Sequence, residues 1–540
     1  MKSMSVVIIK PSKYDLDGFV ERYCKGFMPN STVPYFQSMI PAVHRGVALR
    51  VAAVDEYVHT SLDYLSLLRS QAGERTLVLI VGVQSHQFHR ALDLAALAEK
   101  GGCMVCIGGP HVMTCDTASV QGRGISFALA EAESILLDLL DDAISGELRP
   151  VYGDGERWAA ELDPPSVQAP SRRDMKRYII PMLGVYPARG CPFSCNFCSV
   201  IKIAGRRIRS QPVSTTLQTL RAAKAAGIRM IMFTSDNFNK YPQVAELMHE
   251  MIREKLEMRF FAQCDTQVGK QDELVALMAR AGCRQIFVGA ESFDRQTLLA
   301  ANKPQNRPER YEEIVNLCRK NRILSHFSNI IGFPGQTQAA IDEHVAILKE
   351  LSPAHASFYV LCPIPGTEQY ADFLERGLID EPNLDRFDTT CLTWRHPNLS
   401  RSEIRQALFD CYRRFYTLKH SLAQIPYLPR DDGPAREAAE MIGAVVYNRI
   451  WAAKQIHPMS GGVGRLRIDN ARDLGDLRMR TFGFALAPLP RNLDLNEQDE
   501  TGNRSSSAAA RALDVRRKLE IQGLAGDYMS TAPRPLLATQ

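Results

Sequence analysis

The chain has 540 residues, 45% of them hydrophobic and 23% charged, with a formal net charge of +5. That length implies more than one domain, and the ordinary composition can bury real cores. The weak, dispersed charge argues against nucleic-acid or membrane-surface binding, and no apolar run reaches the roughly 20 residues of a membrane span. Thirteen cysteines, an odd number, lie scattered through the sequence, which fits free thiols in a reducing cytoplasm. The apolar segment Ser5–Lys10 is too short for a signal peptide and stops at Pro11.

Residues 1–150 alternate short apolar strands with helices. Ser5–Lys10, Ala48–Val54, Thr76–Val83 and Met104–Ile107 are the expected strands. Near-continuous apolar strands separated by helices imply a parallel sheet covered on both faces, a doubly wound, Rossmann-like α/β domain. Ligands of such domains sit beyond the carboxyl ends of the strands. Those ends carry Pro11-Ser12, Gln84-Ser85-His86 and Gly108-Gly109-Pro110-His111. Cys103 and Cys106 form a C-x-x-C on a buried strand and read as core residues, not a redox pair. Residues 151–178, polar and proline-bearing, read as a linker.

From 179 to 385 the pattern repeats strand then helix. Tyr178–Val185, Met230–Thr234, Phe260–Cys264, Gln285–Gly289, His326–Ile331 and Ser357–Leu361 are the expected strands. The helices between include Gln243–Glu254, Asp272–Ala281, Arg310–Lys320 and Gln338–Leu351. Six such units imply a partial (β/α)6 barrel with its chemistry at the carboxyl ends of the strands. The first strand runs into Cys191-Pro192-Phe193-Ser194-Cys195-Asn196-Phe197-Cys198, a C-x-x-x-C-x-x-C loop. Three soft thiolates can hold an iron–sulfur cluster with one iron left open for chemistry. The spacing also suits zinc with a distant fourth ligand, or plain reduced cysteines.

This motif, with Phe197 before the last cysteine, resembles the signature of the radical S-adenosylmethionine (SAM) family. The resemblance implies a [4Fe-4S] cluster on Cys191, Cys195 and Cys198, with SAM chelated at the open iron and cleaved to a 5′-deoxyadenosyl radical. Further pieces stand at successive strand ends. Ser235-Asp236-Asn237-Phe238 takes the place of the family's Gly-Gly-Glu-like segment. Gly289-Ala290-Glu291-Ser292 resembles its Gly-x-Glu-Ser motif, Gly332-Phe333-Pro334-Gly335 its Gly-Phe-Pro-Gly turn, and Pro363-Ile364-Pro365-Gly366-Thr367 its Pro-x-Pro-Gly-Thr turn. By this resemblance Phe197, Asp236, Asn237, Glu291, Gly332 and Pro363 border SAM; local capping is the plain alternative for Asp236 and Glu291. An electron donor such as flavodoxin or ferredoxin is implied as partner.

The first domain is similar to the cobalamin-binding domains fused ahead of radical SAM domains. That implies a cobalamin site built from Ser12, Gln84, Ser85, His86, Gly108, Gly109, Pro110, His111, Glu131 and Glu133. The D-x-H-x-x-G motif is missing, so no histidine is offered to cobalt in the usual way, and Ala130 replaces a glycine ahead of Glu131. A Rossmann-like domain that only packs or binds substrate is the alternative.

Residues 386–490 read as a mostly helical C-terminal region. Its helix Ser402–His420 starts near a Ser400 or Ser402 cap, and Trp394 and His396 face either the cavity or the core. Ser460-Gly461-Gly462-Val463-Gly464 reads as a flexible loop, and 491–540 as a mobile tail with a short helix near Ala508–Leu519. Taken together, the resemblance implies a cobalamin-dependent radical SAM methyltransferase acting on a carbon or phosphorus of a small molecule. A ring-forming radical enzyme, as in tetrapyrrole synthesis, and a cluster-binding sensor stand as alternatives.

Overall fold

The computed structural model describes residues 3–469 apart from Leu16, Ala72, Asp116, 118–123, 154–157, 160–161, 163–164, Ser166, Gln168, Pro382 and 430–432. The expected tail and its helix near 508–519 lie outside the described residues. Eight strands come first: β1 (Ser3–Lys10), β2 (Arg22–Gly26), β3 (Val43–His44), β4 (Val47–Asp55), β5 (Arg75–Ile80), β6 (Met104–Gly108), β7 (Ile125–Ala128) and β8 (Val151–Tyr152). All but β2 join one sheet in the order β3-β4-β1-β5-β6-β7-β8, parallel except for β3 against β4. Alternate residues bury both faces. Val7, Ile9, Val78 and Ile80 enter one core; Val6, Ile8, Leu77 and Leu79 enter another. Cys103 and Cys106 belong to these two different cores, so they cannot pair. The third expected strand stops at Ile80 because Gly82 turns the chain at φ 63°. Strands β7 and β8 escaped the sequence reading because four and two residues carry too little periodicity.

The second sheet is built from β9 (Met182–Val185), then, beyond a short antiparallel pair β10 (Ala188–Arg189) and β11 (Arg209–Ser210), β12 (Met230–Phe233), β13 (Arg259–Cys264), β14 (Cys283–Glu291), β15 (Leu324–Ile331) and β16 (His355–Val360). Its order is β16-β15-β14-β13-β12-β9, all parallel. Helices Asp272–Ala281 and Gln338–Leu351 stand at their expected bounds. Ile231, Phe233, Phe260, Ala262, Ile286, Val288, Phe327 and Phe358 pack into the core on one face. The alternating residues of the other face include Met232, Phe261, Gln263, Gln285, Phe287 and Tyr359, all partly exposed.

Between the sheets, 151–178 is tied down where it is described. Trp158 Nε1 donates to Ile203 O at 2.8 Å, and Val167 N to Thr219 Oγ1 at 3.0 Å. Helix Ser402–His420 is two helices, Arg401–Phe415 and Leu418–Gln424, because Tyr416 and Thr417 are extended and Thr417 caps the second. Ser400 is the cap of the first, in a reciprocal capping box with Glu403. The expected flexible loop at 460–464 is corrected: β17 (Gly462–Leu466) pairs antiparallel with β2. A Cβ at Gly462 would lie 2.4 Å from Lys25 O, so the glycine is what permits this pairing. Trp394 and His396 are core residues; Trp394 Nε1 donates to Leu361 O and His396 Nε2 bonds Phe333 O. Among the described residues no helix is long and apolar enough to cross a membrane.

The Gly108-Gly109-Pro110-His111 turn is a packing device as well as a strand end. Val83 N donates to Gly108 O and His111 N to Val83 O. Gly109 has φ 138°, and a Cβ there would sit 2.1 Å from Val83 N. Gly109→Ala is expected to cost roughly 1–3 kcal/mol in denaturant melts. Gly443→Ala, on the exposed side of helix Pro434–Ala453 with no atom within 4 Å of its Cβ position, should be neutral or slightly stabilising.

Candidate active site

Strands β10 and β11 close the base of the cysteine loop. Gly190 opens it with φ 107°, where a Cβ would meet Arg207 O at 2.2 Å. Gly190 N donates to Asp236 Oδ2 at 2.9 Å, and Ala188 N to Ser235 Oγ at 3.2 Å. The segment 300–306 straps the loop from the side. Asn196 Nδ2 donates to Ala300 O at 3.1 Å, and Asn302 Nδ2 to Ser194 O at 2.7 Å. Gln369, beyond the last strand of the sheet, donates its N–H to Asn196 O at 2.9 Å. The carboxyl ends of β9, β12, β14 and β16 thus converge on one loop.

Two amide side chains point at sulfur. Asn237 Nδ2 donates to Cys191 Sγ at 2.9 Å and Gln305 Nε2 to Cys195 Sγ at 3.5 Å. Burial pushes the thiols up, Cys191 to about 11 and Cys198 to about 12. Burial raises Cys195 as well, against the pull of the Lys303 ammonium. Such thiols stay protonated near neutrality unless metal takes the proton's place. Among the described residues no three His, Cys, Asp or Glu side chains are drawn together as ligands of a single ion. Three partly exposed thiols, amide donors on two of them and a nearby ammonium fit an iron–sulfur cluster, whose sulfurs accept such hydrogen bonds.

Glu291 ends β14 at φ 64°, a left-handed conformation rare for a side chain of this kind, at a register slip against β15. Lys303 Nζ pairs with its Oε1 at 2.7 Å, bonds Gly289 O at 3.0 Å and lies 5.8 Å from the centre of the Phe197 ring. The carboxylate therefore already holds one cation; its Oε2 accepts from Ser328 Oγ at 3.4 Å. Phe197 also meets Phe333 edge-on at 6.5 Å. Gly332 N and Phe333 N both donate to Gln336 Oε1. Pro363 is buried, and in the turn it begins, Gly366 has φ 94° and a Cβ there would lie 2.4 Å from Thr114 Cβ, beside the first sheet. Lys303 and Gln305 were missed by the sequence reading. They follow a short helix with no repeat or spacing to mark them; only their position in space brings them beside the loop.

The residues expected at a cobalamin site divide. Ser12 is internally satisfied, its N–H donating to Glu56 and its hydroxyl to Glu21 O. Gln84 is exposed. Burial pushes His86 down to about 4, with Lys13 adding to it. His111 packs at a tilt against Phe88 with ring centres 4.2 Å apart, bonds Ser85 Oγ at 3.0 Å, and is pushed down by burial to about 3. Gly108, Gly109 and Pro110 form the turn described above. Glu131 and Glu133 instead face the cysteine loop. Arg209 grips Glu131 with two nitrogens at 2.5 and 2.8 Å, and Arg189 Nη2 reaches Glu133 at 2.7 Å.

Residues 185–348 match the Radical SAM superfamily. Over those residues the chain carries a radical SAM domain. Its relatives include bacteriochlorophyllide d C-8(2)-methyltransferase of Chlorobaculum tepidum, 24% identical over 405 residues, covering 73% of this chain and 86% of that protein. The anaerobic magnesium-protoporphyrin IX monomethyl ester cyclase of Cereibacter sphaeroides is 24% identical over 330 residues, 55% of this chain and 52% of that one. In fold, the chain is similar to the radical SAM methyltransferase TsrM of Kitasatospora setae, solved with cobalamin and a [4Fe-4S] cluster. The TM-score is 0.54 at 17% identity, covering 69% of this chain and 78% of that one.

Proposed function

We propose that this chain is a cobalamin-dependent radical SAM methyltransferase acting on a small molecule at an unactivated carbon or at phosphorus. The observation that carries it is the cysteine loop at the carboxyl edge of the second sheet, with Asn237 and Gln305 aimed at its sulfurs. In this reading 1–150 is a cobalamin-binding domain, 151–178 a linker, 179–385 a partial barrel, and 386–490 a C-terminal helical region. A cluster and SAM would supply a carbon-centred oxidant and cobalamin a transferable methyl group.

The chain's own residues do the placing. Cys191, Cys195 and Cys198 would ligate the cluster, while Asn237 and Gln305 stabilise the charge on two of its sulfurs. Lys303 neutralises Glu291 and shields the cysteine side of the mouth, and Phe197 and Phe333 wall off water. The polar residues on the partly exposed face of the second sheet would orient the substrate. Gln285 Nε2 contacts His326 Nδ1 at 2.7 Å, and His326 Nε2 contacts Ser357 Oγ at 2.6 Å. Burial holds that histidine well below its ordinary value, so it is a neutral hydrogen-bonding group at pH 7.

Anaerobic reconstitution with added hydroxocobalamin, then iron and cobalt analysis, tests the reading. About four irons and one cobalt per chain are expected, with 5′-deoxyadenosine released from SAM. Cys198→Ala should lose most of the iron and all of that release. A label carried from methyl-deuterated SAM into product separates methyl transfer from ring formation, the second reading that the cyclase relative favours. Iron without cobalt would remove the methyltransferase reading, and zinc in place of iron would remove both.

A further inference from the structure

Helix Pro434–Ala453 buries one side and leaves the other apolar in the open. Met441, Val445 and Ala452 are buried, and Glu437 on that side pairs with Arg284 of β14 at 2.5 Å. The outer side carries Ile442, Val446 and Ile450, four residues apart and so in one row along the helix. The adjacent helix Leu418–Gln424, tied on where Ser421 Oγ donates to Met441 O at 3.4 Å, adds Leu418 and Leu422. These five side chains are 39% (Ile442) to 58% (Leu418) exposed. Apolar residues scattered singly over a surface are ordinary, but five on two adjoining helices form a contact face. Beside the large row runs a small one, Ala435, Ala439 and Gly443, all exposed. A glycine inside a helix costs about 1 kcal/mol relative to alanine. Nothing lies within 4 Å of the Cβ position of Gly443, so no neighbour among the described residues requires a glycine there.

We propose that this face pairs with the same face of a second copy of the chain, helix against antiparallel helix, about a two-fold axis beside Val446. Self-complementarity selects that occupant. A two-fold axis between antiparallel helices brings together residues from the same edge of the stripe, at mirrored heights. With Val446 set against the partner's Val446, Ile450 lies over the partner's Gly443 and Ala439 meets the partner's Ala453. The large row of each helix then fills the hollow along the small row of the other. Charge follows the same register. Glu440 and Lys454 share one edge of the stripe, so Glu440 meets the partner's Lys454, and the pair occurs twice. Within its own chain Glu440 has Arg436 at 3.3 Å, and Lys454 Nζ lies 5.2 Å from the centre of the Trp451 ring. A partner of another kind has no reason to match large to small and acid to base about one axis of this helix.

The test is sedimentation velocity and light scattering of the full chain across a concentration series. A particle of twice the 60.3 kDa chain mass is expected. Val446→Glu sets two carboxylates together at the axis and should raise the dissociation constant about a hundredfold or more. Gly443→Leu separates this pairing from general stickiness. It adds apolar surface and helix propensity, yet should weaken the dimer about tenfold or more, because the new side chain takes the space of the partner's Ile450. Glu440→Lys and Lys454→Glu should each weaken the dimer several-fold at low salt, and the double variant should restore it. The two positions stand about 21 Å apart along one helix, so restoration comes across the interface. All four positions are exposed, and each variant should keep the circular dichroism of the unaltered chain. A monomer at every concentration overturns the inference, whether residues 470–540 or another protein covers the face. So does a dimer indifferent to Val446→Glu, a dimer tightened by Gly443→Leu, or a double charge reversal that fails to recover.

Discussion

Glu56→Leu is expected to cost about 3–5 kcal/mol of stability, the usual effect of removing one partner from a buried charge network. Glu56 is fully buried after β4, where Arg22 Nη2 reaches its Oε1 at 2.9 Å and Arg90 Nη2 at 2.6 Å. Both arginines also hold Asp469, at 3.1 and 2.9 Å, and Arg90 bonds Tyr64 Oη at 3.0 Å. The network therefore pins β2, the helix carrying Arg90 and the segment just past β17 to one point. Without Glu56, two guanidinium groups compete for Asp469. Burial raises the Glu56 carboxyl, but Arg90 and Arg22 outweigh it and hold it at about 2. A depressed carboxylate adds stability that is complete above its unfolded value near 4.5 and disappears as pH falls toward 2. The unaltered chain should lose about 3 kcal/mol from this group over that window. Glu56→Leu should show a correspondingly flatter acid limb in urea melts between pH 5 and 3. An unchanged limb would show that the network adds nothing net.

This network was invisible in the sequence for a physical reason. The strand Ala48–Val54 was legible, but the partners of Glu56 just beyond it lie 34 positions away on both sides, and one lies at Asp469. Nothing local marks Asp469, and the glycines at 461, 462 and 464 carry the signal of a loop. Their backbone freedom serves instead to let β17 approach β2. The second sheet was legible because each strand is an apolar run followed by a periodic helix, a pattern that survives without long-range information. The cysteine loop was legible because its three thiols fall within eight residues of sequence. Lys303 and Gln305 were not, because a hydrogen bond to sulfur needs only proximity, and one amide or amine in a loop looks like any other. Glu131 and Glu133 were legible as a functional pair opening a helix. The geometry aims their carboxylates at arginines beside the cysteines, a direction that residue type does not encode.

Glu131→Leu and Arg209→Leu are each expected to lower stability by about 3–5 kcal/mol and to weaken iron retention, whereas the double variant should recover much of the loss. Arg209 lies in β11 and Arg189 in β10, the two strands that close the cysteine loop. Glu131, 7% exposed, takes both Arg209 nitrogens, an Arg189 contact at 3.3 Å and the Ala159 N–H at 2.8 Å. Arg209 also donates to Ala159 O and Ala204 O, so it fastens the far end of the loop to the first sheet's helix. Arg189 is further set against the rings of Tyr35 and Tyr186, at 5.1 and 5.6 Å. Leaving either charge buried without its partner is costlier than replacing both by apolar groups, so the cycle should be strongly non-additive. Two readouts separate the roles. Urea melts of the metal-free chain report the pair's structural part, and the rate of iron loss to a chelator reports how firmly the loop is held. Additive single and double effects would show that the two residues act separately. Iron loss unchanged in Glu131→Leu, despite a lower melt, would show that this clamp serves folding alone and leaves the cysteine loop to its straps at Asn196 and Asn302.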